Sequence, residues 1–205
     1  MFSFLQAQVF TLGPKVGLNF SSINFNQKIQ IADTTFNLLT QDAKFGLNGG
    51  FFLRFKSKKI YVQPEALFSQ HRTSFKVFSN FDSVGEIKEI QYVKLDVPLN
   101  IGIKLGKTFR LNGGIVGSYI MSSFVRNEKD VVKYALSITQ SNLQWTYLLG
   151  IGFDIKKHIT IDFKYEGNIG SHISSSTFLG SPSEISSRIN NFQLNFGFAL
   201  IPFKK

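Results

Sequence analysis

From Val93 to Leu105 the chain places a large aliphatic at every second position: Val93, Leu95, Val97, Leu99, Ile101, Ile103 and Leu105. Lys94, Asp96, Pro98, Asn100, Gly102 and Lys104 stand between them. A period of two is the mark of a β-strand, because successive side chains point to opposite faces of the pleat. One face of this strand is wholly apolar and the other is charged. At about 3.3 Å per residue, a tilted strand of this length crosses the ~30 Å hydrocarbon core of a bilayer. The apolar face therefore meets either a protein core or lipid.

The same alternation predicts eight strands: Val9–Phe20, Ala43–Phe55, Ile60–His71, Ile90–Leu105, Phe109–Ser123, Asn142–Ile155, Ile159–Asn168 and Ile189–Phe203. Their connections alternate in length. Lys56–Lys59, Gly106–Thr108 and Lys156–His158 are short, whereas Ser21–Asp42, Arg72–Glu89, Arg126–Ser141 and Gly170–Arg188 are long and polar. Long structureless loops are unusual in compact soluble domains. Short turns at one end and long loops at the other mark outer-membrane barrels, facing periplasm and exterior respectively. The expected fold is all-β: an eight-stranded antiparallel up-and-down transmembrane β-barrel, with both termini on the short-turn side.

Composition agrees. The hydrophobic fraction is 43% and no run of about twenty apolar residues occurs, so helical membrane spans are excluded. A barrel hides its membrane signal in alternation. Cysteine is absent, which rules out disulfides, thiol nucleophiles and cysteine-based zinc sites. No spacing resembles another metal or calcium site, and no cofactor is expected. The net charge of +10 invites a nucleic-acid reading, but the basic residues are spread over short turns, strands and terminus, so no nucleic-acid partner is expected.

Side-chain size decides which face meets lipid. The lumen of an eight-stranded barrel is just wide enough to be filled by side chains. The polar phase is rich in Gly, Asn, Ser and mixed charges, which suits a crowded interior. The Phe, Leu and Ile phase does not fit there and is assigned to lipid. The expected lumen charge network comprises Lys15, Lys44, Arg54, Glu65, Lys94, Asp96, Lys104, Arg110, Asp154, Asp162, Lys164 and Glu166. Buried charges are tolerated only when paired, and this set carries both signs. Phe109, Tyr119, Trp145 and Tyr165 are candidates for an aromatic girdle at the membrane interface. Pro64 and Pro98 lie inside expected strands, where a closed barrel offers no edge for a missing N–H; bulges are expected there.

Met1–Gln8 reads as the remnant of a secretory signal peptide, leaving residues 9–205 as a single barrel domain. Gly13–Ser21 (GPKVGLNFS), Val62–Ser69 (VQPEALFS), Tyr92–Leu99 (YVKLDVPL), Gly113–Tyr119 (GGIVGSY) and Asp162–Tyr165 (DFKY) together resemble the PorT-like outer-membrane β-barrel family of Bacteroidetes. The resemblance covers nearly the whole chain. It implies an OmpA/OmpX-like outer-membrane barrel and makes both prolines regular family positions. It implies no activity: the family's namesake assists protein secretion across the outer membrane.

Candidate chemistry is sparse. His71, with Ser69 and Glu65, is the one constellation that suggests a Ser-His-acid hydrolase of the outer membrane. The flanking residues form no hydrolase motif, and no catalytic residue is assigned. His158 and the Ser171-His172 pair read as solvated turn and loop residues. Gly46–Gly50 lacks the Lys-Ser/Thr ending of a phosphate loop. The expectation is therefore a non-enzymatic outer-membrane protein, acting through its loops or as an accessory to envelope assembly or secretion. Its partners would be outer-membrane lipid and envelope or secretion-machine proteins. The alternatives are the hydrolase, or lipid-modifying enzyme, and a soluble lipocalin-like barrel with an apolar lumen.

Overall fold

The computed structural model describes the backbone of residues 9–24, 26–31, 34–79, 82–126, 136–139, 143–169, 172–178 and 181–201, with side chains at 10–22, 44–72, 74, 91–122, 143–169 and 190–201. Met1–Gln8, read as a signal remnant, lies outside the described residues, as do Ser171 and the side chain of His172.

Among the described residues there are eleven strands and no helix: β1 Val9–Asn24, β2 Asn26–Ile31, β3 Thr34–Ser57, β4 Ile60–Ser79, β5 Asp82–Leu105, β6 Phe109–Arg126, β7 Leu136–Thr139, β8 Leu143–Ile155, β9 Ile159–Asn168, β10 His172–Phe178 and β11 Ser181–Phe198. Eight of them are staves, paired antiparallel in the order β1-β3-β4-β5-β6-β8-β9-β11. β11 returns to β1, setting Lys15 opposite Gly197 and Phe20 opposite Phe192, so the ring of eight staves closes. β2, β7 and β10 lie in the long connections, where they pair with β3, with β10, and with β11 and β7, respectively.

The staves exceed their expected lengths at the far end, opposite the short turns. β3 starts at Thr34 instead of Ala43, β4 continues to Ser79 and β5 begins at Asp82. Pairing of β4 with β5 runs on to Ser79 opposite Asp82, and β5 meets β6 as far out as Glu89 and Arg126. Backbone hydrogen bonding does not require an apolar face. Beyond the lipid-facing band the alternation fades while the ladder persists, so segments that read as loops are paired ribbons. At the other end β11 stops at Phe198 and not Phe203, because its partner β9 begins at Ile159, directly opposite.

The prolines do not sit at bulges. Register shifts occur near Thr40–Leu47, Val77–Ser79 and Val93–Lys94, away from both. Around Pro64 and Pro98 the β4–β5 register is the same on either side, with Gln63 opposite Asn100 and Leu67 opposite Asp96, and the rungs between Pro64 and Leu67 lapse. A proline nitrogen has no hydrogen to donate. Beside this lapse the Asn100 side-chain amide adds a link to the neighbouring stave, donating to the Gln63 carbonyl at 3.2 Å.

The two faces separate as the alternation requires. Outward side chains are apolar and open, with Val16 61% and Phe45 62% exposed. Inward ones are mostly polar and closed, with Lys15 and Arg110 each 1% exposed. A charged lumen and an apolar exterior are the reverse of a lipocalin, and this overturns the soluble-barrel alternative. Not every inward residue is polar: Phe52, Leu67, Val116 and Leu148 are also buried.

Candidate functional site: the barrel lumen

The lumen holds two polar groupings, one near the short turns and one toward the far end. In the turn-side half, β1 contributes Lys15, whose Nζ donates to Glu65 Oε1 and Asp162 Oδ2, both at 2.8 Å. Lys164 Nζ reaches the same Glu65 oxygen at 2.7 Å. Gln63 Nε2 and Asn100 Nδ2 add donors to it at 2.6 and 3.1 Å. Arg110 pairs with Asp162 Oδ1 at 2.7 Å and Asp154 Oδ1 at 2.9 Å, and also donates to the Thr160 hydroxyl. Arg54 and Lys104 each lie 3.1 Å from an Asp154 oxygen. Arg54 Nε donates to Gln63 Oε1 at 2.5 Å. The guanidinium of Arg54 also faces the rings of Phe52 and Tyr61 at 5.6 and 5.2 Å, favourable cation–π distances.

These contacts cross the lumen as well as lining it. β4 and β9 are four positions apart in the ring of eight staves, hence opposite, and Glu65–Lys164 joins them. β3 and β8 are likewise opposite, and Arg54–Asp154 joins them. Two ion pairs thus span the barrel. Chemically the arrangement braces the wall and blocks the axis.

The far half is organised differently. Lys94 pairs with Asp96, two residues along its own strand, at 3.6 Å. Glu166 is held by neutral groups: Thr146 Oγ1 at 2.6 Å, Asn191 Nδ2 at 3.0 Å and Gln193 Nε2 at 2.9 Å. Ser21 Oγ shares a 2.6 Å hydrogen bond with His71 Nδ1 and donates to Asn191 Oδ1 at 3.3 Å. A chain of hydrogen bonds therefore runs His71–Ser21–Asn191–Glu166 around half the wall. The His71 ring stacks on Tyr92 at 5.3 Å and 8°. His71 Nε2, Tyr92 Oη and both amide atoms of Asn48 make no protein hydrogen bond. Lys44, at the outer end of this half, is half-buried.

The hydrolase constellation is not assembled. His71 bonds Ser21 on β1 rather than Ser69 on its own strand. Glu65 is occupied by two lysines and two amides, so it does not orient the histidine. His158 sits in its turn with Nδ1 2.7 Å from the Ala199 carbonyl and its ring stacked on Phe198 at 5.5 Å.

The four aromatic candidates all belong to the outward face. Tyr119 and Trp145 are exposed, Phe109 and Tyr165 half-buried. Phe109 adjoins the Gly106–Thr108 turn and meets Phe153 edge-on at 5.4 Å. Trp145 lies opposite Gly117, and its ring fills the space a Cβ there would take. Tyr165 donates to Asn190 Oδ1 at 2.9 Å and contacts Phe192 at 5.1 Å.

Among the lumen contacts, Gln63, Asn100, Thr160, Ser21 and Tyr92 were not singled out from the sequence. Their signal was parity: each occupies the same phase of its strand as a charged or buried polar residue. Phe52 carries the same signal, two residues before Arg54, but is hidden by the adjacent Phe51.

The sequence pattern of the family described as Outer membrane protein beta-barrel domain matches residues 6–174. No curated protein matches the chain significantly. Among solved structures the chain is similar to outer membrane protein AlkL in lipid bilayers, at 14% identity and a TM-score of 0.56, covering 100% of this chain and 96% of that one. It is also similar to Ail, the attachment invasion locus protein of Yersinia pestis, solved with the heparin analogue sucrose octasulfate: 14% identity, TM-score 0.48, covering 93% and 99%. For outer membrane protein W of E. coli the values are 13%, 0.41, 96% and 100%. At such identity the likeness to AlkL shows a shared fold.

Proposed function

The chain belongs to the outer membrane protein beta-barrel domain family, and from that premise we propose that it is a non-enzymatic mount that presents paired ribbons to the cell exterior. The protein resides in the outer membrane, where its apolar face meets lipid. The observation that carries the proposal is the continuation of the ladder past the lipid-facing band, as far as Ser79 opposite Asp82 and Glu89 opposite Arg126. The lumen supports it: Glu65–Lys164 and Arg54–Asp154 cross the axis, so activity falls to the surfaces outside the barrel.

We assign the chain, more finely, to the PorT-like proteins of Bacteroidetes, as an accessory to envelope assembly or secretion, with Met1–Gln8 the remnant of its export signal. The support is the motif set running from GPKVGLNFS to DFKY.

Cross-linking in native outer membranes, followed by co-purification, tests the mount reading. The intact chain is expected to bring down an envelope partner. A variant whose β4–β5 ribbon is cut back to a short turn below Arg72 and Gln91 should lose that partner while keeping the heat-modifiable gel migration of a folded barrel. Undiminished capture by the folded, trimmed variant would sink the proposal, and so would a large steady conductance through the intact protein in a planar bilayer.

A further inference from the structure

The net charge of +10 looks dispersed in sequence, and folding gathers much of it. The three short turns, fifty residues apart along the chain, meet at one end of the barrel and carry Lys58, Lys59, Lys107, Lys156 and Lys157, with Lys56 just before the first of them in β3. Within three residues of those turns the only carboxylate is Asp154, which is turned into the lumen and held by Arg54, Lys104 and Arg110. Lys58, Lys59, Lys107, Lys156 and Lys157 are exposed and make no ion pair with a described residue.

Backbone conformation adds a second, independent observation. Lys58 and Lys156 adopt φ of 53° and 59°, the left-handed region that a Cβ disfavours. Gly106, at the first position of the Gly106–Thr108 turn, has φ 69°. Lys156 holds the same first position in Lys156–His158, so the chain keeps lysine where glycine relaxes the turn.

We propose that this lysine rim is a binding site for anionic phospholipid headgroups of the periplasmic leaflet. The depth of the turns selects that partner. Lys59 directly precedes Ile60, Lys156 directly follows Ile155, and Lys107 lies two residues from Leu105, all lipid-facing. Turns this short place their ammonium groups at the level of the headgroup phosphates, within reach of flexible lysine stems. A soluble protein would have to enter the headgroup layer to meet them. The proposal is independent of what the outward ribbons bind: it fails on lipid retention, whereas the mount reading fails on partner capture.

The test uses the full chain in detergent, mixed with equal phosphatidylglycerol and phosphatidylethanolamine, with bound lipid read by native mass spectrometry. The natural protein is expected to retain phosphatidylglycerol with a preference of about tenfold or more. Replacing all five exposed lysines by glutamine should bring that preference close to one while the barrel still shows its folded gel migration. Lys58→Gly with Lys156→Gly relaxes the turns and removes two charges. This pair should fold at least as well as the natural chain and lose part of the preference, so it carries the test if the glutamine variant does not fold. An unchanged preference in either folded variant overturns the proposal. So does a lipid preference that survives while cross-linking to an acidic envelope protein is lost, which would make the rim a protein dock.

Discussion

The two halves of the lumen are built from the same backbone and almost the same residue types, yet they are held by different physics. Toward the turns, five cations converge on Glu65, Asp154 and Asp162, and opposite staves are tied together. Toward the far end, Glu166 is satisfied by a hydroxyl and two amides, and His71 Nδ1 meets a serine. Removing one member of a buried ion pair strands the other, which costs far more than losing a neutral hydrogen bond. The turn-side half is therefore the brace, and the far half is a softer polar wall.

The largest test of that contrast is Glu65→Ala. It leaves Lys15 and Lys164 buried beside one fewer anion and should cost about 3–5 kcal/mol, read as a lower urea midpoint for unfolding from detergent micelles or vesicles. A Gly50→Val change comes next. Its side chain would collide with the Ala66 carbonyl across the β3–β4 ladder, and overpacking of this kind costs about 1–3 kcal/mol. In the far half, Ser21→Ala breaks the His71–Asn191 link and should cost only about 1 kcal/mol. If Ser21→Ala proved as damaging as Glu65→Ala in the same titration, the distinction between brace and wall would be lost. The smallest effect belongs to the exterior: Trp145→Ala uncovers Gly117 and should cost about 0.5–1 kcal/mol. Fluorescence of the single tryptophan, blue-shifted in vesicles and quenched by lipid-borne bromines, would check its place in the bilayer.

Period two made the staves legible: β9 and the turns at Gly106–Thr108 and Lys156–His158 match the alternation to the residue, whereas the expected turn Lys56–Lys59 shrinks to Lys58–Lys59 because β3 runs on to Ser57. It also separated lumen from lipid, because a strand's parity survives whatever its register. Pairing was not legible. Nothing local to Lys15 says that it meets Glu65 and Asp162 rather than another lumen acid, since partner choice between staves depends on how they slide past one another. Leu67 and Leu148 were misleading in another way: each is as apolar as the lipid face but shares the parity of Glu65 or Thr146. The far ends of β3, β4 and β5 were missed because a ribbon outside the membrane keeps its hydrogen bonds without keeping an apolar face.

Closure of β1 on β11 sets the order of events during assembly. Lys15 on the first stave is neutralised in part by Asp162, 147 residues later and on the penultimate stave. Until nearly the whole chain has been delivered, the brace lacks one of its acids and the sheet has two open edges. A partly inserted barrel is thus an intermediate with unmatched lysines facing a half-formed lumen, which disfavours stopping short. The first stave must wait for the last, and this protein should enter the membrane as a single cooperative step or remain outside it.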